Sequence, residues 1–150
     1  MAWYSGTYSC GHEGRVQLYG KIKEREWKKE REFSKLCPEC RQKQFEEERE
    51  RKNAEAAALA KEMGLPQLTG SEKQVKWAIT LRQQLIDEID GISELEKRTL
   101  LKRYNITDED IRKIKQYIIE TKTSAKYYID RRYYTIRDFI KEEKDDALAK

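Results

Sequence analysis

The residues of this chain best suited to chemistry come in two close pairs, Cys10-Gly11-His12 and Cys37-Pro38-Glu39-Cys40. They include all three cysteines and the one histidine of the sequence. Three sulfurs and one imidazole are the donor set of a closed tetrahedral Cys3His zinc site. A catalytic zinc keeps one ligand position open. Here every candidate is used, so Cys10, His12, Cys37 and Cys40 are expected to hold a structural Zn2+. Other chemistries fit worse. A zinc deaminase needs His-x-Glu and a proline ahead of its Cys-x-x-Cys pair. Pro38 lies inside the pair, and Glu13 follows His12 directly. A thioredoxin-like role for Cys37 and Cys40 lacks the βαβ surroundings. No Ser/His/Asp set remains once the histidine binds metal. The carboxylates lie in surface charge runs, without an apolar pocket to shift their pKa. The sequence therefore reads as a non-enzyme.

The elements around these ligands follow from local pattern. Residues 3–20 are short β-branched and aromatic runs punctuated by Gly6, Gly11, Gly14 and Gly20, which predicts a hairpin with the Cys-Gly-His turn in its loop or at a strand end. Residues 22–35 switch to helical spacing. Pro38 suits the first turn of a new helix, whose free N–H groups favour thiolates. Over residues 8–50 this order resembles a treble-clef zinc finger, departing from it in the C-x-H first pair and in the helix before the second pair. Trp3, Tyr4 and Trp27 are expected to cover the finger. Residues 41–63 predict a long connecting helix of high propensity, its six basic and six acidic residues cancelling. The Gly64–Gly70 stretch breaks it and marks the expected linker. Residues 71–141 repeat apolar positions at helical spacing between capping signals, starting with Ser71 and Gln74, and predict a three- or four-helix bundle with Trp77 in its core. Residues 142–150 are expected to fray. The predicted chain is mainly α: a finger at 1–50 with a small N-terminal β-hairpin, a connecting helix at 41–63, a linker at 64–70 and a bundle at 71–141.

Charge narrows the partners. The 150 residues carry 32 Lys and Arg against 28 Asp and Glu, a net +4. That argues against unselective coating of nucleic acid. The distribution is uneven, however. Residues 112–141 hold nine basic and three acidic residues, interleaved with Tyr117, Tyr127, Tyr128, Tyr133 and Tyr134. Cations beside aromatic rings suit phosphate contact with base stacking. Lys122, Lys126, Tyr127, Arg131, Arg132, Tyr134 and Arg137 are thus the candidate nucleic-acid surface, for DNA or RNA. A solvated basic face with tyrosines at the core boundary, or a protein-binding patch rich in Tyr and Arg, fits the same stretch. No run of eighteen apolar residues and no basic-then-apolar leader occurs. With three cysteines that do not pair off among themselves, this predicts a cytoplasmic protein without a membrane segment.

Two phrases carry a wider resemblance: Leu65-Pro66-x-Leu68-x-Gly70-Ser71-x-Lys73-Gln74-Val75-x-Trp77-Ala78, and Ser124-Ala125-Lys126-x-x-Ile129-Asp130-x-Arg132. With the Cys-Gly-His pair they resemble small zinc-ribbon-headed proteins carried by bacterial phages and conjugative elements. That resemblance implies an accessory protein of a mobile element in a bacterial host cell, associated with DNA. The alternative it implies is an inhibitor or adaptor that binds a host protein, such as a CRISPR or other defence nuclease.

Overall fold

A computed structural model describes residues 1–149. Two strands, β1 (Ala2–Thr7) and β2 (Glu13–Leu18), precede seven helices: α1 (Ile22–Phe33), α2 (Pro38–Glu62), α3 (Glu72–Asp90), α4 (Glu94–Tyr104), α5 (Asp108–Thr121), α6 (Ala125–Asp130) and α7 (Ile136–Leu148). They form two compact units, Met1–Arg51 and Lys52–Lys150.

In the first unit β1 and β2 pair antiparallel, Gly6 opposite Gly14 and Trp3 opposite Gln17. Alternate residues of a strand face opposite sides. Ala2, Tyr4 and Gly6 are half-buried, whereas Trp3, Ser5 and Thr7 face solvent. Gly6 lets Phe33 of α1 come close, because a Cβ there would lie 2.7 Å from the phenyl ring. Tyr8 packs on the same ring, centroids 5.0 Å apart. Tyr8, Leu18 and Cys37 are the buried apolar side chains of this unit. The expectation that the tryptophans cover the finger fails. Trp3 is 57% and Trp27 58% exposed, each under a guanidinium, from Arg15 and Arg31 respectively. Their positions explain it: Trp3 lies on the outer face of the hairpin, and no residue of α1 is buried.

The second unit begins inside α2. Ala56 and Ala60 are buried, and Asn53 accepts a hydrogen bond from the Thr80 hydroxyl at 2.7 Å. The expected linker at 64–70 is therefore corrected: the division falls at Arg51 and Lys52, and the breaker belongs to the helical core. Leu68 is buried, Arg82 donates to the Pro66 carbonyl at 2.7 Å, and Thr69 bridges Ser124 in parallel. The two bonds of that bridge, Thr69 N–H to Thr123 O and Ala125 N–H to Thr69 O, are both 2.8 Å. The two phrases noted above thus meet in space. Gly and Pro stop a helix whether the chain then leaves the domain or turns back into it.

Capping residues set the helix starts. Ser71 with Gln74, Thr107 with Asp110 and Thr135 with Asp138 each form a reciprocal capping box. Apolar stripes from α3, α4, α5, α6 and α7 close around Leu85, Leu100, Ile114, Ile118, Tyr128 and Ile140. The last apolar stretch of the bundle forms two helices, α6 and α7, broken at residues 131–135 where Thr135 caps a new start. Trp77, expected in the core, is 44% exposed at the edge of the α3 stripe, and the buried positions fall on Ala78 and Arg82 instead. Arg82 is 2% exposed, and burial pushes its guanidinium pKa down. The expected fraying of 142–150 is also corrected, because α7 continues to Leu148. Glu143, 2% exposed, accepts from the Tyr127 hydroxyl at 2.7 Å and pairs with Lys122 at 2.8 Å. Lys150 of that tail lies outside the described residues.

Two outcomes follow from these packing terms. Glu143→Ala strands Lys122 and the Tyr127 hydroxyl, and should destabilise the second unit by about 3 kcal/mol in urea denaturation. The Asp110 and Asp138 carboxyls are held below their usual range by hydrogen bonds from the Thr107 and Thr135 hydroxyls, then from the backbone N–H groups of the same threonines. A depressed carboxyl stabilises the fold above its unfolded value, about 3.9, and loses that contribution as pH falls through the lower folded value. Melting midpoints should therefore drop below about pH 4, and Thr107→Ala with Thr135→Ala should make that acid limb shallower.

Candidate metal centre and basic surface

The hairpin end and the start of α2 bring the four ligand candidates together. Tyr8 donates its N–H to the His12 carbonyl at 2.9 Å, and Gly11 donates to the Tyr8 carbonyl at 2.9 Å. The knuckle so formed needs a left-handed residue, and Gly11 supplies it with φ 83°. Cys37 precedes Pro38 at the head of α2, and Cys40 follows within the first turn. The Ser9 N–H, bonded to the Lys35 carbonyl at 3.1 Å, ties the knuckle to the segment before Cys37.

The donor atoms of Cys10, His12, Cys37 and Cys40 all lie within 4.8 Å of one another. His12 presents Nδ1, 3.3 Å from Cys40 Sγ and 3.6 Å from Cys37 Sγ. Metal–sulfur and metal–nitrogen bonds of tetrahedral zinc imply ligand–ligand edges of about 3.6 Å. Backbone amides complete the centre: Cys37 N–H points at Cys10 Sγ and Cys40 N–H at Cys37 Sγ, both at 3.3 Å. The first of these contacts, helped by the backbone near His12, lowers the Cys10 thiol to about 6. Cys40 is pushed up to about 11, first by its hydrogen bond with Cys37 and then by burial. Thiols this close do not ionise together unless a cation sits between them. None of the three cysteines is in a disulfide. The cluster fits one metal ion with all four protein ligands engaged.

The candidate basic surface divides. Lys122, Tyr127 and Arg131 are drawn into an internal network. Lys122 pairs with Glu143 and lies 5.5 Å from the Tyr127 ring centroid. Burial pushes the Tyr127 phenol pKa up, and its hydrogen bond to Glu143 adds to that. Arg131 is ion-paired with Glu142 and stacks 4.1 Å from the Tyr127 centroid. The other four candidates, Lys126, Arg132, Tyr134 and Arg137, are exposed. Arg132 caps the Ile129 carbonyl at 3.0 Å and lies 4.5 Å from the ring of Tyr133, which is 82% exposed. Tyr134 packs edge-on to Phe139 at 5.5 Å.

The fold adds a cluster that a count over consecutive residues misses. Lys141 of α7 lies 5.2 Å from the ring of Tyr104 at the end of α4. The Tyr104 phenol pKa is lowered first by the hydrogen bond from Lys141, against burial, which raises it, and then by the charges of Lys141, Arg103 and Arg137. Among the described residues, no ion pair engages Arg103, Arg137 or Lys141. Arg103 lies nine residues before the basic stretch that begins at Arg112, so its membership depends on α4 and α7 meeting.

No family model matches the chain, and no curated protein or solved structure matches it. No helix of the described residues is long and apolar enough to cross a membrane.

The metal cluster predicts separable unfolding. Chelation, or Cys40→Ser, should abolish the dispersed amide resonances of residues 1–36 in a heteronuclear NMR spectrum. Those of α3 to α7 should remain in place. Loss of both sets in one transition would show that the two units fold as one.

Proposed function

We propose that this chain is a non-enzymatic, zinc-stapled binding protein of a mobile element that contacts nucleic acid through the basic surface of its helical unit. The observation that carries the reading is the convergence of Arg103, Arg137 and Lys141 on Tyr104, with no ion pair among the described residues to neutralise them. Such a cluster suits a phosphate backbone, since affinity for nucleic acid rests on cations free to displace counterions. The exposed Arg132 and Tyr133 pair offers a ring and a guanidinium plane for an unstacked base. Lys122 and Arg131 contribute less, because Glu143 and Glu142 already hold them.

Zinc is the ion of choice for the finger. Three thiolates and one imidazole in tetrahedral array are soft to borderline donors, and zinc prefers that set over calcium or magnesium. With all four ligands from the protein the ion is structural, and the chain's only histidine serves it. These features support a binding protein over a catalyst.

Fluorescence anisotropy with labelled single-stranded and duplex oligonucleotides tests the reading. Affinity should fall steeply between about 50 mM and about 200 mM salt. Arg137→Ala with Lys141→Ala should lower the salt slope by about two. Arg131→Ala should leave that slope unchanged. An absence of binding at the lower salt concentration refutes the proposal.

A further inference from the structure

The sheet of the first unit has only two strands, so each leaves one edge unpaired. Beside β2 that edge opens into a groove of about 620 Å³, walled on the other side by α1. Val16, Gln17 and Leu18 line it in succession. Successive residues of a strand point to opposite faces, so a groove that meets all three meets the strand along its edge. The helix runs back along β2. Lys28 near its middle donates to the Tyr19 carbonyl at 3.0 Å, and the Lys35 carbonyl just past its end accepts from Ser9 at the knuckle.

The α1 wall is basic and carries one aromatic ring. Lys28, Arg31 and Lys35 face the groove with a single acid, Glu32. Glu32 is paired to Lys35 at 2.6 Å, and Lys28 lies 4.0 Å from Glu24. Among the described residues no carboxylate forms an ion pair with Arg31, which lies 5.3 Å from the exposed Trp27 ring. On the opposite edge, a smaller groove of about 410 Å³ beside β1 is lined by Glu26, Glu30 and a single cation, Lys29. The two edges therefore differ in sign.

We propose that the groove between β2 and α1 binds an extended acidic segment of a partner protein, which adds as a third strand to the free edge of β2. Backbone hydrogen bonds to β2 supply affinity, and alternate side chains supply selection. The spacing agrees. Trp27 and Arg31 are separated by about 6 Å along the helix, and alternate strand residues by about 6.7 Å. An acidic side chain on the added strand therefore reaches Arg31 while the apolar stem of its alternate neighbour lies on Trp27. The residues involved belong to the first unit alone, so this inference does not depend on nucleic-acid binding by the second.

The full-length zinc-loaded protein is titrated against a labelled peptide of about six residues alternating Glu and Val, and against its Lys/Val counterpart. Saturable binding of the acidic peptide alone is expected. Arg31→Glu should weaken it at least about tenfold, and Lys29→Glu in the other groove should change it less than about twofold. Methylating the backbone nitrogens that face β2 should abolish it. Metal content and far-UV circular dichroism report folding, and if Arg31→Glu loses zinc, Arg31→Gln is compared in its place. Absence of saturable peptide binding overturns the proposal, as does binding indifferent to the Arg31 variant that retains zinc. Loss of oligonucleotide affinity in place of peptide affinity would assign the groove to nucleic acid, and would also overturn it.

Discussion

Three thiols and an imidazole crowded within 4.8 Å are the constraint on which the first unit depends. Sulfurs this close repel when ionised, and the charges of Cys10 and Cys37 add to the upward displacement of Cys40. A divalent cation removes the conflict by accepting all four donors at once. Little else would hold these residues. The buried apolar side chains of the unit are few, and both of its tryptophans lie in water. The Gly6–Phe33 approach and the Gly11 knuckle serve one end, placing Cys10 and His12 over the first turn of α2. A unit so lean in burial would rely on a bound metal in the way small domains do.

The second unit is organised on the opposite principle. It has a continuous apolar core with a few polar side chains buried in it. Among the described residues the Tyr128 hydroxyl and Arg82 Nε find no hydrogen-bond partner, whereas Glu143 has both carboxylate oxygens engaged. By holding Lys122 and the Tyr127 hydroxyl, it converts part of a basic stretch into internal structure. Arg131 and Glu142 do the same at the surface. Net charge along a sequence window therefore overstates the charge available to a partner. What remains is a smaller set drawn from α4, the α6–α7 turn and α7.

Much of this was legible in the residues. The metal ligands stood out because sulfur and imidazole are rare here and come in pairs. The helix start at Ser71 was legible, since a capping box is a local device. Thr135 carries the same device but falls in a stretch without Gly or Pro, and the break it makes was hidden by apolar spacing that runs on through it. The 64–70 breaker was visible as a turn, but its return into the core depends on a pairing with Ser124, 55 residues from Thr69. Trp77 shows the limit of composition: a large ring one step off the buried stripe lies at its edge. Glu143 was masked by the acidic run around it, and Arg103 by its distance along the chain from α7. For the breaker, Glu143 and Arg103 the deciding fact was a non-local contact.

The placement of Cys37 and Cys40 bears on how α2 comes to exist. Its stretch from Arg41 to Lys52 buries nothing and carries hardly any apolar side chain. Helix formation is limited by nucleation, because the first turn fixes several residues for a single hydrogen bond. A metal clamping both ends of the Cys37–Cys40 turn would provide that nucleus at one end, and Ala56 and Ala60 against the core provide another. The charged stretch between them then needs only to propagate, which its Glu, Lys, Arg and Gln do well. Metal capture and helix initiation would in this sense be one event, and the helix a product of its two ends.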